Sequence, residues 1–411
     1  MGWRLNPRPD QRKGHCSEMT EHSRKPTILA FVRYYLPGYK AGGPIRTISN
    51  MVEALGEDFD FRIVTSDRDA SDISPYPAIA VGRWEQVGKA QVRYLSPDMT
   101  GLRQIARLLR ETPHDVLYLN SFFDPVFTQK PLMARRLGIA PKARCILAPR
   151  GEFSKGALEL KAIKKRTFLL AARASGLYAG LDWHASSPYE EMDIRRSLSQ
   201  SEMHIQSAIH IKVAIDLTAT KSFKSSFVPR NAGEPLRVCF LSRISPMKNL
   251  DFAIRALAQV RNRVEFDIYG PIGDIAYWQQ CKALLSALPS HVSVTFHGDL
   301  EHERVAVTLS EHDLFFLPTR GENYGHVIFE SLSAGTPVLI SDQTPWKGLE
   351  EIGAGWALPL YQETRFANII DEVAELYEEQ YLDIRCRSLE YSRSCMNDDA
   401  IKENRLLFQS E

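Results

Sequence analysis

The chain has 411 residues, with 51 Lys and Arg against 50 Asp and Glu and a formal net charge of +1 at pH 7. That length exceeds one ordinary core and implies two domains, and the balanced charge provides no global field to recruit nucleic acid. No apolar run approaches the roughly 18–20 residues needed to span a bilayer, and the six cysteines show neither a C-x-x-C pair nor zinc spacing, which fits reduced thiols in a cytoplasmic protein.

Residues 1–24 are polar and mixed in charge without an apolar h-region, so a disordered extension or a misplaced start is expected there rather than a secretory signal. T-I-L-A-F-V from Thr27 is a short apolar run suited to a buried parallel strand. A loop rich in Gly and aromatics follows, then a helix from about Pro44 to Leu55. Pro44 suits a first helical turn, and Gly42-Gly43 lets the backbone approach a ligand closely. Further strands are expected at 61–65, 92–95, 116–119, 144–148, 183–186 and 209–213, with helical patterns between several of them, such as 102–110 and 157–173. This alternation implies a parallel sheet with helices on both faces, over a first domain of residues 25–217.

Residues 218–235 are polar and rich in breakers and are expected to be the linker. A second alternating series spans residues 236–385, with strands at 238–241, 265–268, 292–296, 313–317, 338–340 and 356–358. Helices are expected at 249–260, 276–288, 302–310 and from His326 to Gly335, and residues 386–411 stay helical in pattern. Two doubly wound α/β halves place a ligand cleft between the carboxyl ends of their sheets.

The densest chemistry lies in P-T-R-G-E-N-Y-G-H-V-I-F-E-S-L-S-A-G-T-P-V, from Pro318. Strand, Gly-containing loop, helix, strand make a βαβ unit whose helix start suits an anion, through the amides near Tyr324, Gly325, His326 and Val327. Glu322 and Glu330 flank that start. Carboxylates would repel a phosphate, so they fit neutral hydroxyls on either side of it, which together describe a nucleotide sugar. F-L-S-R-I-S-P-M-K-N-L places Arg243 and Lys248 after the first strand of the second domain, where two cations can neutralise a diphosphate. No D-x-D stands at a strand end suited to Mg²⁺; Asp67 and Asp69 flank Arg68 in a loop, so no metal or other cofactor is expected. Gly270, in Y-G-P-I-G-D, is a turn glycine or lines the nucleotide base, and His297 is expected to be a satisfied loop histidine.

Glu, seven residues, Glu, then S-A-G-T-P-V resembles the retaining glycosyltransferases of family 4, which have the GT-B fold. The resemblance runs from about Thr27 to the carboxyl end. It implies two Rossmann-like domains facing each other across a cleft, with the last helix crossing back to the first domain. It further implies that Glu322 contacts the donor sugar, Glu330 the ribose, and Arg243 and Lys248 the diphosphate, while Gly42-Gly43 closes over the phosphates. L-N-S-F-F-D-P, P-R-G-E-F-S and G-E-N-Y-G-H resemble a bacterial subgroup that assembles surface polysaccharide. Asn120, Arg150 and Glu152 are then acceptor-side candidates. Two departures stand out: Asn120-Ser121 replaces a common active-site histidine, and Lys212-Val213-Ala214-Ile215-Asp216 replaces Pro-Asn-Gly-Ile-Asp.

The reading is thus a cytoplasmic transferase using a nucleotide-sugar donor and a saccharide or polyprenyl-diphosphate-linked acceptor. Helix 157–173, with Lys161, Lys164, Lys165, Arg166 and Arg173, is a candidate for contact with the inner face of the plasma membrane. Two rivals share the fold: a nucleotide-sugar epimerase, which would need a cleft acid/base pair, and a non-catalytic partner subunit. A dinucleotide dehydrogenase is disfavoured because no G-x-G-x-x-G follows an early strand.

Overall fold

The computed structural model describes residues 24–159, 162–199, 210–218, 233–395 and 398–409. Residues 1–23 of the expected extension, 219–232 of the expected linker and Lys161 lie outside the described residues, as do the side chains of Lys164, Arg166 and Arg173.

The first domain runs β1 (Thr27–Phe31), α1 (Gly43–Leu55), β2 (Asp60–Ser66), β3 (Trp84–Val87), β4 (Ala90–Leu95), α2 (Leu102–Glu111), β5 (Val116–Asn120) and α3 (Lys130–Arg136). It continues through β6 (Arg144–Ala148), α4 (Lys155–Glu159), α5 (Ala162–Ala174), β7 (Asp182–Ala185), α6 (Pro188–Ser199) and β8 (Ile211–Val213). The sheet order is β3-β4-β2-β1-β5-β6-β7-β8, parallel throughout except for the β3–β4 hairpin. Every residue of β1 is buried, as a strand covered on both faces requires. Leu29 and Phe31 join one apolar cluster and Ile28 and Ala30 another, the period-2 signature of helices on both sides.

The second domain runs β9 (Leu236–Leu241), α7 (Leu250–Leu257), β10 (Val264–Tyr269), α8 (Ile275–Leu285), β11 (Val292–Gly298), α9 (His302–Glu311) and β12 (Leu314–Leu317). Then come α10 (His326–Ser333), β13 (Val338–Ser341), α11 (Leu349–Ile352), β14 (Gly355–Leu358), α12 (Glu363–Ala374), α13 (Glu378–Cys395) and α14 (Asp398–Phe408). Its parallel order is β11-β10-β9-β12-β13-β14. In each sheet the winding direction reverses once, between β1 and β5 and between β9 and β12. The loops leaving these four strands therefore open a crevice, where such sheets bind ligands.

Two features differ from the sequence reading. The β3 hairpin is a short, half-exposed edge strand turned at Gly88, with too little apolar pattern to stand out. Second, α13 runs through residue 386 on the second domain, where Ser388 Oγ donates to the Ala354 carbonyl (3.2 Å). The element that reaches the first domain is α14. Arg405 donates to Asp58 (2.9 Å), Asn404 Nδ2 to the Ile215 carbonyl (2.8 Å), and Phe408 packs edge-on against Phe59, Phe61 and Tyr118.

Candidate active site

The β12–α10 loop is stitched to the loop after β9. Asn249 Nδ2 donates to the Pro318 carbonyl (2.9 Å), Arg320 Nε to Asn249 Oδ1 (3.0 Å), and the Arg320 amide to the Met247 carbonyl (2.8 Å). This brings Lys248 onto Glu322 as an ion pair. Gly325 caps α10 at φ 81°, a left-handed conformation that glycine adopts without penalty. The chain thereby turns so that the first α10 amides point outward, unpaired within the helix.

The first domain presents the same device. Gly42, at φ 69°, caps α1, and the two helix starts meet across the crevice: Thr47 Oγ1 lies 2.9 Å from His326 Nε2. Thr47 also donates to Asp216 (2.8 Å), and Asp216 pairs with Arg150 at 2.7 Å. The remaining Arg150 nitrogens donate to Tyr118 Oη (2.6 Å) and Asn120 Oδ1 (3.0 and 3.1 Å). Tyr118 Oη in turn meets His184 Nδ1 at 2.7 Å. A polar chain thus runs beneath the crevice from β7 to α10.

Between the domains lies a cavity of about 700 Å³. Glu322, Arg243, Lys248, Glu330, Gly42, Gly43, Tyr324, Gly325, His326, Val327, Gly270, Asn120, Arg150 and Glu152 all line it, although their states differ. Arg243 is exposed and Glu330 is 16% exposed at the side chain, and neither has a side-chain hydrogen bond among the described residues. Tyr324 is buried, with its carbonyl taken by Trp346 Nε1 (2.6 Å). Arg150 is occupied as above. Glu152 accepts from Ser121 Oγ (2.8 Å) and the amides of Phe122 (2.5 Å) and Phe123 (3.1 Å), so it shapes the loop after β5.

Sequence reasoning passed over Arg46, His302 and Asp216, which also line the cavity. Arg46 stands three residues after Gly43, a spacing that puts it on the same helical face as the α1 start. The expected histidine pairing is explicit: His297 meets Asp267 at 2.6 Å and stacks on Tyr269 with ring centroids 4.4 Å apart. Asp69 accepts from the Tyr39 (2.7 Å) and Lys40 (3.0 Å) amides, and Asp67 pairs with Arg68 (2.7 Å), so both carboxylates brace loops. Among the described residues no group of three or more His, Cys, Asp or Glu is arranged to hold a metal ion, and no helix is long and apolar enough to cross a membrane.

Burial sets the electrostatics. It pushes the Glu330 carboxyl up to about 7, with Arg46 pulling partly the other way. Burial lowers His326 to about 4 against the opposing pull of Asp216, and lowers His302 to about 4 with help from Arg46. Both rings are neutral at pH 7. His302 Nδ1 lies 3.8 Å from Glu330 Oε1 and leaves that carboxylate without a charged partner in contact. The His326 Nε2 is spent on Thr47, which leaves the ring's Nδ1 and the backbone N–H for a ligand.

Residues 222–385 match the family model for "Glycosyl transferases group 1". A D-inositol 3-phosphate glycosyltransferase of Nocardia farcinica is 32% identical over 117 residues, which is 27% of this chain and 26% of that protein. The alignment thus spans about a quarter of that relative's length. Two solved structures cover nearly the whole chain. The sucrose-phosphate synthase of Thermosynechococcus elongatus has TM-score 0.67 at 18% identity, covering 94% of this chain and 99% of that one. Anabaena Alr3699/HepE, in complex with UDP and glucose, has TM-score 0.63 at 16% identity, covering 93% and 98%. The architecture is GT-B.

Proposed function

We propose that the protein is a glycosyltransferase that moves a sugar from a nucleoside-diphosphate donor to a saccharide acceptor across this cleft. The observation that carries the reading is Glu330, a half-buried carboxylate one turn inside α10 with no hydrogen-bond donor among the described residues. Such a group is costly unless a ligand supplies donors, and neutral hydroxyls beside the anion-favouring α10 start are what a ribose offers.

In this reading the bond between the anomeric carbon and the terminal phosphate oxygen breaks with its electron pair on the oxygen. Arg243, Lys248 and the α10 amides face that growing charge, a contact stronger in the transition state than in the ground state. Lys248 and Glu322 neutralise each other in the ligand-free chain. A bound donor separates the pair, giving the ammonium a phosphate and the carboxylate the hydroxyls of the sugar. The matched family segment and the UDP-bound neighbour support the donor class.

The finer reading is a metal-independent, retaining enzyme of O-antigen, capsule or exopolysaccharide assembly. Its acceptor is a saccharide, carried on polyprenyl diphosphate at the inner face of the plasma membrane. The motifs quoted above support this, as do exposed Ile163 and Leu170 on α5, seven residues apart on one face.

The test is thermal unfolding with UDP-, GDP-, ADP- and dTDP-sugars, repeated in Glu330→Ala and Arg243→Ala. A donor at ~100 times its Kd adds about 2.7 kcal/mol and raises the midpoint. The shift is expected with one nucleotide class and lost in both variants. No shift with any donor in the folded wild type overturns the reading and favours a non-catalytic subunit.

A further inference from the structure

We infer that Arg46 is a cation the first domain contributes to the donor's diphosphate, so that the phosphate site is complete only when both domains face it. The inference rests on the donor reading above and deepens it.

Among the described residues six Lys and Arg side chains line the cavity, and four are already paired. Arg150 is held by Asp216 and Lys248 by Glu322. Lys40 lies 2.6 Å from Asp72 and 3.9 Å from Asp299, and Arg33 lies 2.9 Å from Asp124. The two that remain are Arg243 in the second domain and Arg46 in the first; neither guanidinium has a hydrogen bond or ion pair among the described residues.

Arg46 is not a solvated surface charge. It is half-buried, and burial lowers its pKa; Glu330 and Glu303 are its opposing charges, neither within ion-pair distance. It stands on the first turn of α1, whose start faces that of α10: a Cβ built on Gly43 would come within 3.8 Å of the His326 ring. The cavity therefore gathers two helix N-termini and two unpaired guanidiniums, one of each from either domain. A planar guanidinium with five donors needs several acceptor oxygens. Glu330, in contact with the ribose in the donor reading, lies close enough to feel the charge of Arg46, which places Arg46 beside the phosphate that the ribose carries. A diphosphate offers oxygens in two directions, and Arg46 and Arg243 would take one side each.

The rival explanation is that Arg46 only offsets the charge of Glu330. The two ideas separate by ligand. UDP, GDP, ADP and dTDP are titrated calorimetrically into wild type, Arg46→Ala and Arg46→Lys, and the matching nucleosides are titrated with ligand-observed NMR. Arg46→Ala is expected to weaken the diphosphate by about tenfold or more while leaving the nucleoside within about twofold, and Arg46→Lys to recover part of the loss. Unchanged diphosphate affinity overturns the proposal, as does a parallel loss for nucleoside and diphosphate. If wild type binds none of the four diphosphates, the donor reading itself fails. If Arg46→Ala does not fold, Arg46→Lys carries the same comparison, because a point charge loses the fork but keeps the sign.

Discussion

Glu330→Gln isolates the cost that the site imposes on the ligand-free fold. Burial raises the Glu330 carboxyl from its ordinary 4.5 to about 7, with Arg46 opposing. At about 1.36 kcal/mol per pH unit, the ionised folded form is disfavoured by roughly 3 kcal/mol. The folded state holds its proton more tightly than the unfolded chain, so stability is highest at low pH in this respect and falls as pH rises from about 4.5 through 7. Gln carries no such proton. The difference in unfolding free energy between Glu330→Gln and wild type should therefore grow by roughly 3 kcal/mol from about pH 4.5 to about pH 8.5, read by urea unfolding of the second domain. Donor hydroxyls favour the ionised form, so nucleotide-sugar binding near pH 7 should release protons, visible as a calorimetric heat that varies with buffer. Wild-type and Glu330→Gln stabilities that run parallel across this pH range would refute the reasoning, because the carboxyl would then titrate as it does in water.

Three further outcomes test other parts of the framework. Asp216→Asn unpairs Arg150, whose side chain is 7% exposed against 2% for Asp216; it should destabilise the fold by about 3–5 kcal/mol, measured by urea unfolding. Arg243→Ala removes an exposed side chain and should leave the ligand-free midpoint unchanged, while sugar transfer slows about 10²–10³-fold, read as kcat/KM for the donor. Gly270→Ala builds a Cβ 2.2 Å from the Ser242 carbonyl oxygen at φ 127°; the loop that carries Arg243 must shift, so transfer should fall together with a loss of about 1–3 kcal/mol in stability.

What could be read from the sequence was local. Glu322, Gly325 and Glu330 stand within one strand–loop–helix passage, and the apolar run of β12 and the helical period of α10 set their spacing without reference to the rest of the chain. Arg150 and Glu152 show the opposite. Both sit at a strand's carboxyl end and line the cavity, but their partners Asp216 and Ser121 are 66 and 31 residues away, so nothing nearby in sequence indicated that their hydrogen bonds are used internally. Arg46 was hidden for another reason: within a helical pattern a lone Arg reads as part of the solvated face, and only the apposition of α1 with α10 turns that face toward the cleft.

The same long-range logic explains why α14 returns to the first domain. Phe408, in the last turn of α14, packs edge-on against Tyr118 with centroids 5.2 Å apart. Tyr118 Oη holds Arg150, Arg150 holds Asp216, and Asp216 holds Thr47, which meets His326 at the start of α10. The C-terminal helix is thus packed beneath the polar chain that fixes how the two helix starts face each other. Truncating Phe408 to Ala removes a buried ring at the cost of about 3–5 kcal/mol. It should also weaken donor binding, although α14 lines no part of the cavity. Equilibrium titration of the folded variant with nucleoside diphosphate decides the point: unchanged affinity would mean that α14 only stabilises the first domain, and reduced affinity would mean that its packing sets the geometry of the cleft.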